Sequence, residues 1–181
     1  MQTEHLLQSL IEQTRQIINK AEKLKEADIS YLSKRPATGG WTILECLQHL
    51  NLYGDYYLPE IKNAMQTSKT TADSTFQSGW LGNYFSQSML PKKRLNKMKT
   101  FKDKDPINSN LDKQVIDVFL QQQMMLLTLL NESRNVNLNK VRIRISIARF
   151  IKLKLGDTFQ FLINHMIRHM QQIDRIETQL K

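Results

Sequence analysis

The sequence predicts an all-α fold, a four-helix bundle, and three observations support this class. Four segments carry apolar residues at the three- and four-residue spacing of an amphipathic helix. Capping patterns stand at the start of three of these segments. Long connections separate the second segment from the third and the third from the fourth. A chain of 181 residues can bury a substantial core, so we expect a single domain over residues 1–181.

The first two helical segments are separated by a short break. The first covers about residues 3–30, and its apolar face consists of Leu6, Leu7, Leu10, Ile11, Ile17, Ile18, Ala21 and Leu24. Pro36 and the Gly39-Gly40 pair then interrupt the chain. The second segment opens at Thr42 with a capping-box pattern and continues to about residue 65, with Pro59 as a place where it can kink.

The connection over residues 67–108 is irregular, with one short helix predicted over 80–90. A connection of this length in a compact domain is unusual, and it tends to be functional or to cover an opening. We consider two interpretations. The segment covers a pocket, with Trp80, Tyr84 and Phe85 in its wall, or it packs along the flank of the bundle with its aromatic residues filling grooves.

The last two helical segments are predicted on either side of an alternating stretch. The third begins at Ser109, with a cap-like signal at Asp112, and continues to about residue 130. Residues 141–147 alternate apolar and polar side chains like a strand, and since a lone strand cannot pair, we expect an extended crossover or a short hairpin. The fourth segment follows Gly156, uses Asp157 as its N-cap and continues to about Thr178.

The composition is that of a globular protein without a membrane segment. Hydrophobic residues make up 40% and charged residues 24% of the chain. No apolar run approaches the ~18 residues that a membrane span requires, and the N-terminus lacks the basic and apolar regions of a leader. We therefore expect no membrane association and a cytoplasmic location. The single cysteine, Cys46, excludes an internal disulfide and a cysteine-based zinc site.

The formal net charge of +9 raises the question of nucleic-acid binding. The cations concentrate in residues 92–104 and 140–154, which are predicted connections. No aromatic residues alternate with them, as a platform for stacking bases would need. We therefore interpret the charge as a solvated basic surface and do not expect nucleic acid as a partner. Acidic partners remain open.

Three histidines form the strongest functional signal. His165 and His169 are four residues apart, so on a helix their Cβ atoms lie roughly 5–6 Å apart on one face. His49 is in another helical segment, and three imidazoles that leave an open position are typical of a catalytic metal site. The alternative is that they are core or boundary histidines. His5 lies near the N-terminus on a polar face and is interpreted as solvated.

Other side chains share the predicted faces of these histidines. Gln172 falls in the arc of His165 and His169, where it could hold an imidazole in one tautomer or face the pocket. Around His49, Tyr53 and Tyr56 could donate to a substrate or serve only as boundary packing. Glu45 is first the capping-box acid and second a candidate base. Cys46 is interpreted as a small buried apolar residue rather than a reactive thiol.

The sequence resembles members of the DinB-like superfamily of four-helix-bundle metalloenzymes. Residues 41–50 (WTILECLQHL) resemble that family's Trp-Ser/Thr-x-x-Glu-x-x-x-His-Leu segment, and residues 155–157 followed by 165–173 (HMIRHMQQI) resemble its last helix. Residues 79–99 resemble connections of some bacterial members. The resemblance implies an up-down-down-up order of helices and His49, His165 and His169 as the metal ligands.

The resemblance also suggests a function. The family includes S-transferases and an isomerase that use low-molecular-weight thiols, and its members often form homodimers. We expect a metal-dependent enzyme with one divalent transition ion, either Zn, Ni, Cu or Fe. Transfer of a small thiol to an electrophile is the first hypothesis and metal-assisted hydrolysis of a small-molecule substrate the second. The rival hypothesis is a bundle that binds metal or a ligand without turnover, in a stress response or a partner interaction.

Overall fold

The computed structural model describes residues 1–90, 100–146 and 148–180, and over these residues the chain is mostly helical with a small two-stranded sheet. The prediction of an all-α fold is therefore confirmed only as a mostly helical one, and the up-down-down-up order stays a prediction. The helices and strands are α1 (Thr3–Lys25), α2 (Ile29–Leu32), α3 (Ile43–Gln66), α4 (Trp80–Met89), α5 (Gln114–Glu132), β1 (Arg142–Ile145), β2 (Ala148–Lys154) and α6 (Leu155–Leu180). Single turns of 3-10 helix lie at Lys102–Lys104 and Ser133–Asn135.

The four long helices α1, α3, α5 and α6 correspond to the four predicted segments and pack around one apolar core. Helices α1 and α3 each pack against α5 and α6. All four contribute fully buried side chains to the core, such as Leu7, Leu47, Phe119 and Phe159. Each such burial stabilises the fold by roughly 1.5–3 kcal/mol. The helices therefore have a source of stability that does not depend on a bound metal.

The start of α3 confirms the predicted capping box. The backbone N–H of Glu45 donates to Thr42 Oγ1 (3.1 Å), and the N–H of Thr42 donates to Glu45 Oε2 (2.8 Å). Both hydrogen bonds satisfy amides that have no partner within the helix. The helix continues through Pro59 to Gln66, one residue beyond the predicted end.

Two other helix boundaries differ from the prediction. Helix α1 ends at Lys25 rather than near residue 30, because Asp28 adopts extended backbone and starts the separate turn α2. Helix α5 begins at Gln114, five residues after the predicted cap at Ser109. Its first amide donates to Asp112 Oδ1 (2.8 Å), and Lys113 is the residue directly before the helix, so the connection extends past Ser109.

The alternating stretch forms the first strand of a hairpin. Strands β1 and β2 pair antiparallel, with Arg142 opposite Lys154 and Ile143 opposite Leu153. The alternation is confirmed over 142–145, where the isoleucines are buried and the arginines exposed, while Ile147 lies outside the described residues. The hairpin leads directly into α6, whose first amide, that of Leu155, donates to the carbonyl of Val141 (3.0 Å). The hairpin therefore fixes where α6 begins.

Asp157 lies inside the first turn of α6 and is not its N-cap, which corrects the prediction. Its carboxylate instead accepts hydrogen bonds from Ser78 Oγ and from the backbone N–H of Gly79 (3.0 Å), the residue before α4. A Cβ at Gly82 would lie 2.2 Å from Asp157 Oδ2, so only glycine permits this close approach. Farther along, the side chain of Asn164 donates to the carbonyl of Ser86 (3.1 Å). Helix α4 is therefore attached to α6 at two points.

Replacing Asp157 by asparagine should lower the free energy of unfolding by about 1.5–3 kcal/mol, because the variant loses the charge that accepts two hydrogen bonds at the start of α4. Urea denaturation followed by circular dichroism measures this difference. The matched control is Asp28→Asn, since Asp28 is exposed and its side chain makes no capping hydrogen bond. That substitution should stay within about 0.5 kcal/mol of the parent. Equal values for the two variants would contradict the assigned contact.

The predicted basic segments differ in how much of them the structure describes. Residues 92–99 of the first segment lie outside the described residues. The second segment coincides with the hairpin, where Arg142, Arg144 and Lys152 are exposed. Its interpretation as a solvated surface stays a prediction. Among the helices of the described ranges, none combines the length and the hydropathy needed to cross a membrane.

Candidate metal centre

Three histidine side chains from two helices meet at one point. His49 Nε2 lies 3.2 Å from His165 Nε2, and His169 Nε2 lies 3.0 Å from His165 Nε2. One ring nitrogen from each of the three lies within 4.8 Å of the others, and all three side chains are buried. The two Nε2–Nε2 distances, 3.2 and 3.0 Å, agree with the roughly 3–3.5 Å expected between ligand atoms that each lie about 2.1 Å from one ion. The predicted convergence of the three histidines is therefore observed.

Two of the imidazoles are held in one tautomer by partners outside the cluster. His49 Nδ1 lies 2.6 Å from the carbonyl oxygen of Lys104, and since a carbonyl only accepts, Nδ1 carries the hydrogen. His169 Nδ1 donates in the same way to Gln172 Oε1 (3.0 Å). In both rings the hydrogen on Nδ1 leaves a lone pair on Nε2, directed into the cluster. This is how metal-binding histidines are usually oriented.

Burial keeps the cluster neutral. Desolvation lowers the pKa of His49 to about 4, although the carbonyl of Lys104 acts in the opposite direction. It lowers the pKa of His169 to about 3, with a further contribution from His49. Burial and the two neighbouring imidazoles also lower the pKa of His165 well below its ordinary value. At neutral pH the rings are therefore uncharged and able to bind a cation.

Aromatic side chains fix the positions of these rings. The ring centroid of Trp41 lies 4.7 Å from that of His49, and its ring stacks on His169 at 5.8 Å. The ring of Tyr53 meets His165 edge to face at 4.6 Å. Trp41 was noted in the sequence only as part of the family segment, although it directly precedes the capping box. The structure shows it to be a wall of the histidine cluster.

Glu45 supports the centre but does not face the cavity. Burial raises the pKa of Glu45, but hydrogen bonds from Arg35, Thr42 and Asn108 outweigh this, so the net pKa is lowered. Arg35 forms a two-pronged ion pair with the carboxylate (2.7 and 2.9 Å), and the N–H of Asn108 donates to it as well (2.6 Å). With both oxygens engaged, Glu45 is the capping acid as predicted. The second interpretation, a base, is not supported.

A stretch of the long connection passes directly over His49. This stretch, residues 102–108, supplies the carbonyl of Lys104 to His49 and the N–H of Asn108 to Glu45. Asp105 Oδ1 accepts a hydrogen bond from Trp41 Nε1 (3.2 Å). The sequence predicts residues 92–104 to be a solvated basic segment, and Lys104 departs from this, because its carbonyl contacts His49 and its side chain is only 14% exposed. The contacts of this stretch with His49 and Glu45 are made by backbone atoms, which carry no side-chain signature. It belongs to the support of the candidate centre.

Of the two tyrosines considered near His49, Tyr53 is the one that lines the cavity. Tyr53 lines the cavity beside the histidines, and burial raises its pKa to about 12, so it is a protonated phenol at neutral pH. Tyr56 is not among the described residues that line the cavity; it is partly buried against the core, which corresponds to the alternative of boundary packing. Its neighbour Tyr57 takes this position, and the backbone N–H of Ser146 donates to the Tyr57 hydroxyl (3.1 Å).

The remaining candidates lie where the sequence placed them. Gln172 lines the cavity and holds the tautomer of His169, so both of its proposed roles are compatible with the structure. Cys46 is fully buried, and burial raises the pKa of its thiol far above neutrality. His5 is exposed on α1. Cys46 is thus a packing residue as expected, and His5 is solvated.

A cavity of about 1100 Å³ opens beside the three histidines. Helix α4 contributes Tyr84, Phe85, Ser88 and Met89 to its lining. Two of the three aromatic residues predicted for this wall are therefore in place. Trp80 is not among the lining residues and is 85% exposed. It lies on the outer face of α4, because the inner face is occupied by the contacts with α6.

The chain matches the model of a known protein family over most of its length. The family model of the DinB superfamily matches residues 10–173, which include the whole histidine cluster and nearly all of the four long helices. No match was found among curated proteins or among solved structures.

Proposed function

Since the chain belongs to the DinB superfamily, we propose that it is a metal-dependent enzyme in which His49, His165 and His169 bind one divalent transition ion. The preferred reaction is transfer of a low-molecular-weight thiol to an electrophile. The finer expectations made from the sequence belong to this proposal as well. They are a cytoplasmic location, a small-molecule substrate and a homodimer.

One observation carries the assignment of a metal, namely the balance of hydrogens and lone pairs in the cluster. His49 and His169 each direct a lone pair at His165 Nε2, because their hydrogens are on Nδ1. A neutral imidazole has one N–H, so His165 can donate to one of the two neighbours at most. The other contact then joins two lone pairs at about 3 Å in a buried site, which is unfavourable. A cation bound to all three nitrogens removes this conflict.

The donor set also narrows the choice of ion. Three neutral imidazoles suit Zn, Ni, Cu or Fe, and they are poor ligands for Mg or Ca, which prefer oxygen. With three protein ligands, a position remains for a substrate or water. When bound, such an ion supplies a Lewis acid that lowers the pKa of a thiol or of water at that position.

The surrounding residues favour a thiol over water as the nucleophile. Among the described residues that line the cavity, the only carboxylate is Asp105, whose Oδ1 already accepts from Trp41 and from the N–H of Ile107. Glu45 is engaged on both oxygens. A free thiol has a pKa near 8.5 and water one of 15.7, so a thiol needs less help from a base. Tyr53 is a protonated phenol beside the cluster and is suited to donate to a developing negative charge.

The test begins with untagged protein, because a histidine tag would bind metal itself. We expect about one equivalent of a transition metal by inductively coupled plasma mass spectrometry. The metal-loaded protein should also accelerate conjugation of cysteine or glutathione to monochlorobimane, compared with protein treated with a chelator. Bound metal without acceleration of any thiol conjugation or ester hydrolysis would favour the rival hypothesis, a bundle that binds without turnover. If titration with these metals showed no binding at all, both the enzyme hypothesis and the rival hypothesis would be overturned.

A further inference from the structure

The three histidines differ in what holds the side of each ring that faces away from the cluster. His49 Nδ1 donates to the carbonyl oxygen of Lys104 (2.6 Å), and His169 Nδ1 donates to Gln172 Oε1 (3.0 Å). Within the described part of the chain, the hydrogen-bond contacts of His165 are both made by Nε2, toward His49 and His169. Its Nδ1 is on the opposite side of the ring and therefore points away from the cluster. Metal-binding histidines almost always have an outer partner, so the partner of His165 must lie on the side that Nδ1 faces.

A small pocket lies beside His165, between α3, α5 and α6. Of the three histidines, only His165 lines this pocket as well as the large cavity. Helix α3 contributes Leu50 and Leu58 to its walls, and α5 contributes Gln122 and Gln123. Its volume is about 20 Å³, and one water molecule needs roughly 10–15 Å³ of such space and two to four polar partners. The pocket therefore fits one water if the polar groups in its walls are free to bind it.

Gln123 supplies a free acceptor to this pocket. Its side chain is buried, and its Nε2 donates to the carbonyl oxygen of Phe119 (3.3 Å), one turn earlier on α5. Since a carbonyl oxygen only accepts, this contact fixes which end of the amide is the NH₂ group. The other end, Oε1, is buried and has no hydrogen-bond partner among the described residues. A buried acceptor of this kind is unfavourable unless a water satisfies it.

Gln122 adds a second polar group to the same pocket. Its Nε2 donates to the carbonyl oxygen of Asn51 (3.2 Å) and to Asp55 Oδ1 (2.8 Å), so its Oε1 is the end left for another donor. This side chain approaches α3 closely because residue 54 is a glycine, where a Cβ would lie 1.9 Å from Gln122 Oε1. Together with Gln123 Oε1 and His165 Nδ1, Gln122 Oε1 would give a water three partners, the number that buried waters typically have.

We propose that one water molecule occupies this pocket and bridges Gln123 Oε1 to His165 Nδ1, and that Gln123 thereby positions His165 for metal binding. Since Gln123 Oε1 has no partner among the described residues, it does not bind His165 directly, yet both side chains line one pocket of the size of a water. A water can donate to Gln123 and accept from His165 Nδ1 at the same time. His165 Nε2 then keeps a lone pair directed into the cluster, as in His49 and His169. The role of Gln123 in metal binding rests on the proposed function, whereas the presence of the water does not.

A high-resolution crystal structure of chelator-treated protein tests for the water. We expect a water within about 3.2 Å of both Gln123 Oε1 and His165 Nδ1. A pocket without a water, or a direct hydrogen bond between the two side chains, would overturn the proposal. Because this protein is free of metal, the result does not depend on whether the histidines bind an ion.

Variants of Gln123 test its role in metal binding. Gln123→Met has a side chain of similar length without the oxygen, so it should bind zinc about 10–100-fold more weakly than the parent in competition with a chelator. Gln123→Glu keeps an oxygen at this position and should bind zinc about ten-fold more tightly than Gln123→Met. Gln121→Met makes the same change at an exposed position on α5 and should bind zinc like the parent.

Nuclear magnetic resonance separates positioning from a general loss of stability. In the zinc-bound parent, the Nδ1–H proton of His165 should resonate downfield, as a hydrogen-bonded proton does. In Gln123→Met it should move upfield, while the corresponding protons of His49 and His169 keep their positions. Equal zinc affinities of Gln123→Met and Gln121→Met, or an unchanged His165 resonance in Gln123→Met, would overturn the positioning role. If the parent bound no transition metal under titration, the proposed function and the positioning role would both fail, and the metal-free crystal structure would still decide whether the water is present.

Discussion

Replacing His169 by alanine should abolish tight binding of a divalent metal while the helices remain formed. The substitution removes one of three ligands, and changes in the outer partners of metal ligands alone typically cost 10–100-fold in affinity. We therefore expect a loss of more than about 100-fold. The fold should persist because the core is built from apolar side chains of four helices. Titration against a competing chelator measures the affinity, and circular dichroism measures the helix content.

The chain offers a matched control for this variant. His5 is exposed on α1, so His5→Ala removes a histidine without altering the cluster and should bind metal like the parent. If His169→Ala kept a full equivalent at unchanged affinity, His169 would not be a ligand. If it lost its helical signal at room temperature, the centre would be structural rather than catalytic.

The metal-free protein should lose stability as the pH falls from 6.5 to 5. In the unfolded chain a histidine titrates near pH 6.5, whereas folding lowers the pKa of His49 to about 4 and of His169 to about 3. As the pH falls, protons bind the histidines of the unfolded chain first. The contribution of each histidine to the free energy of unfolding is therefore complete above pH 6.5 and decreases in acid. Because a histidine of the unfolded chain is already half protonated at pH 6.5, each group lowers the free energy of unfolding by about 1.5 kcal/mol over this interval. The lowered pKa of His165 acts in the same direction.

Urea denaturation in the presence of a chelator, at pH 6.5 and at pH 5, measures this loss. The double variant His49→Gln and His169→Gln retains polar side chains but has two fewer groups that titrate in this range. Its loss of stability between the two pH values should be smaller by about 3 kcal/mol. An equal pH dependence in parent and double variant would show that these histidines are not shielded from water as the structure has them.

The helices were predictable from the sequence where local signals decide them. Apolar spacing located α1, α3, α5 and α6, and the capping box at Thr42 located the start of α3 to the residue. The start of α6 was missed because Asp157, a good local N-cap, is used by another helix. A contact between residues 78 apart in the chain, Gly79 and Asp157, leaves no local pattern. A short hairpin was one of the two expectations for residues 141–147, but the bounds of its second strand were not predicted, since strand pairing is not local either.

In the candidate site, too, features with a local sequence signal were predictable and features that depend on distant contacts were not. The four-residue spacing of His165 and His169 and the resemblance around His49 identified the three histidines that meet. Helical phase alone placed Tyr56 beside His49, but the cavity extends toward the hairpin, where Ser146 binds the hydroxyl of Tyr57 instead. The role of residues 102–108 depends on backbone atoms, as at the carbonyl of Lys104. Such atoms are the same in every residue, so no reading of side chains could have found them.

The distribution of the histidines over the helices has a mechanical consequence. Helix α6 carries His165 and His169 together with the contacts that hold α4, so α4 is attached to the same helix as two of the three histidines. His49 alone is on α3, across the seam between the two helices. An ion bound to all three rings would link α3 to α6. Each tenfold rise in its free concentration above the dissociation constant would stabilise the packed arrangement of the two helices by about 1.4 kcal/mol. The fraction of molecules in which α3 and α6 separate would then depend on the concentration of free metal.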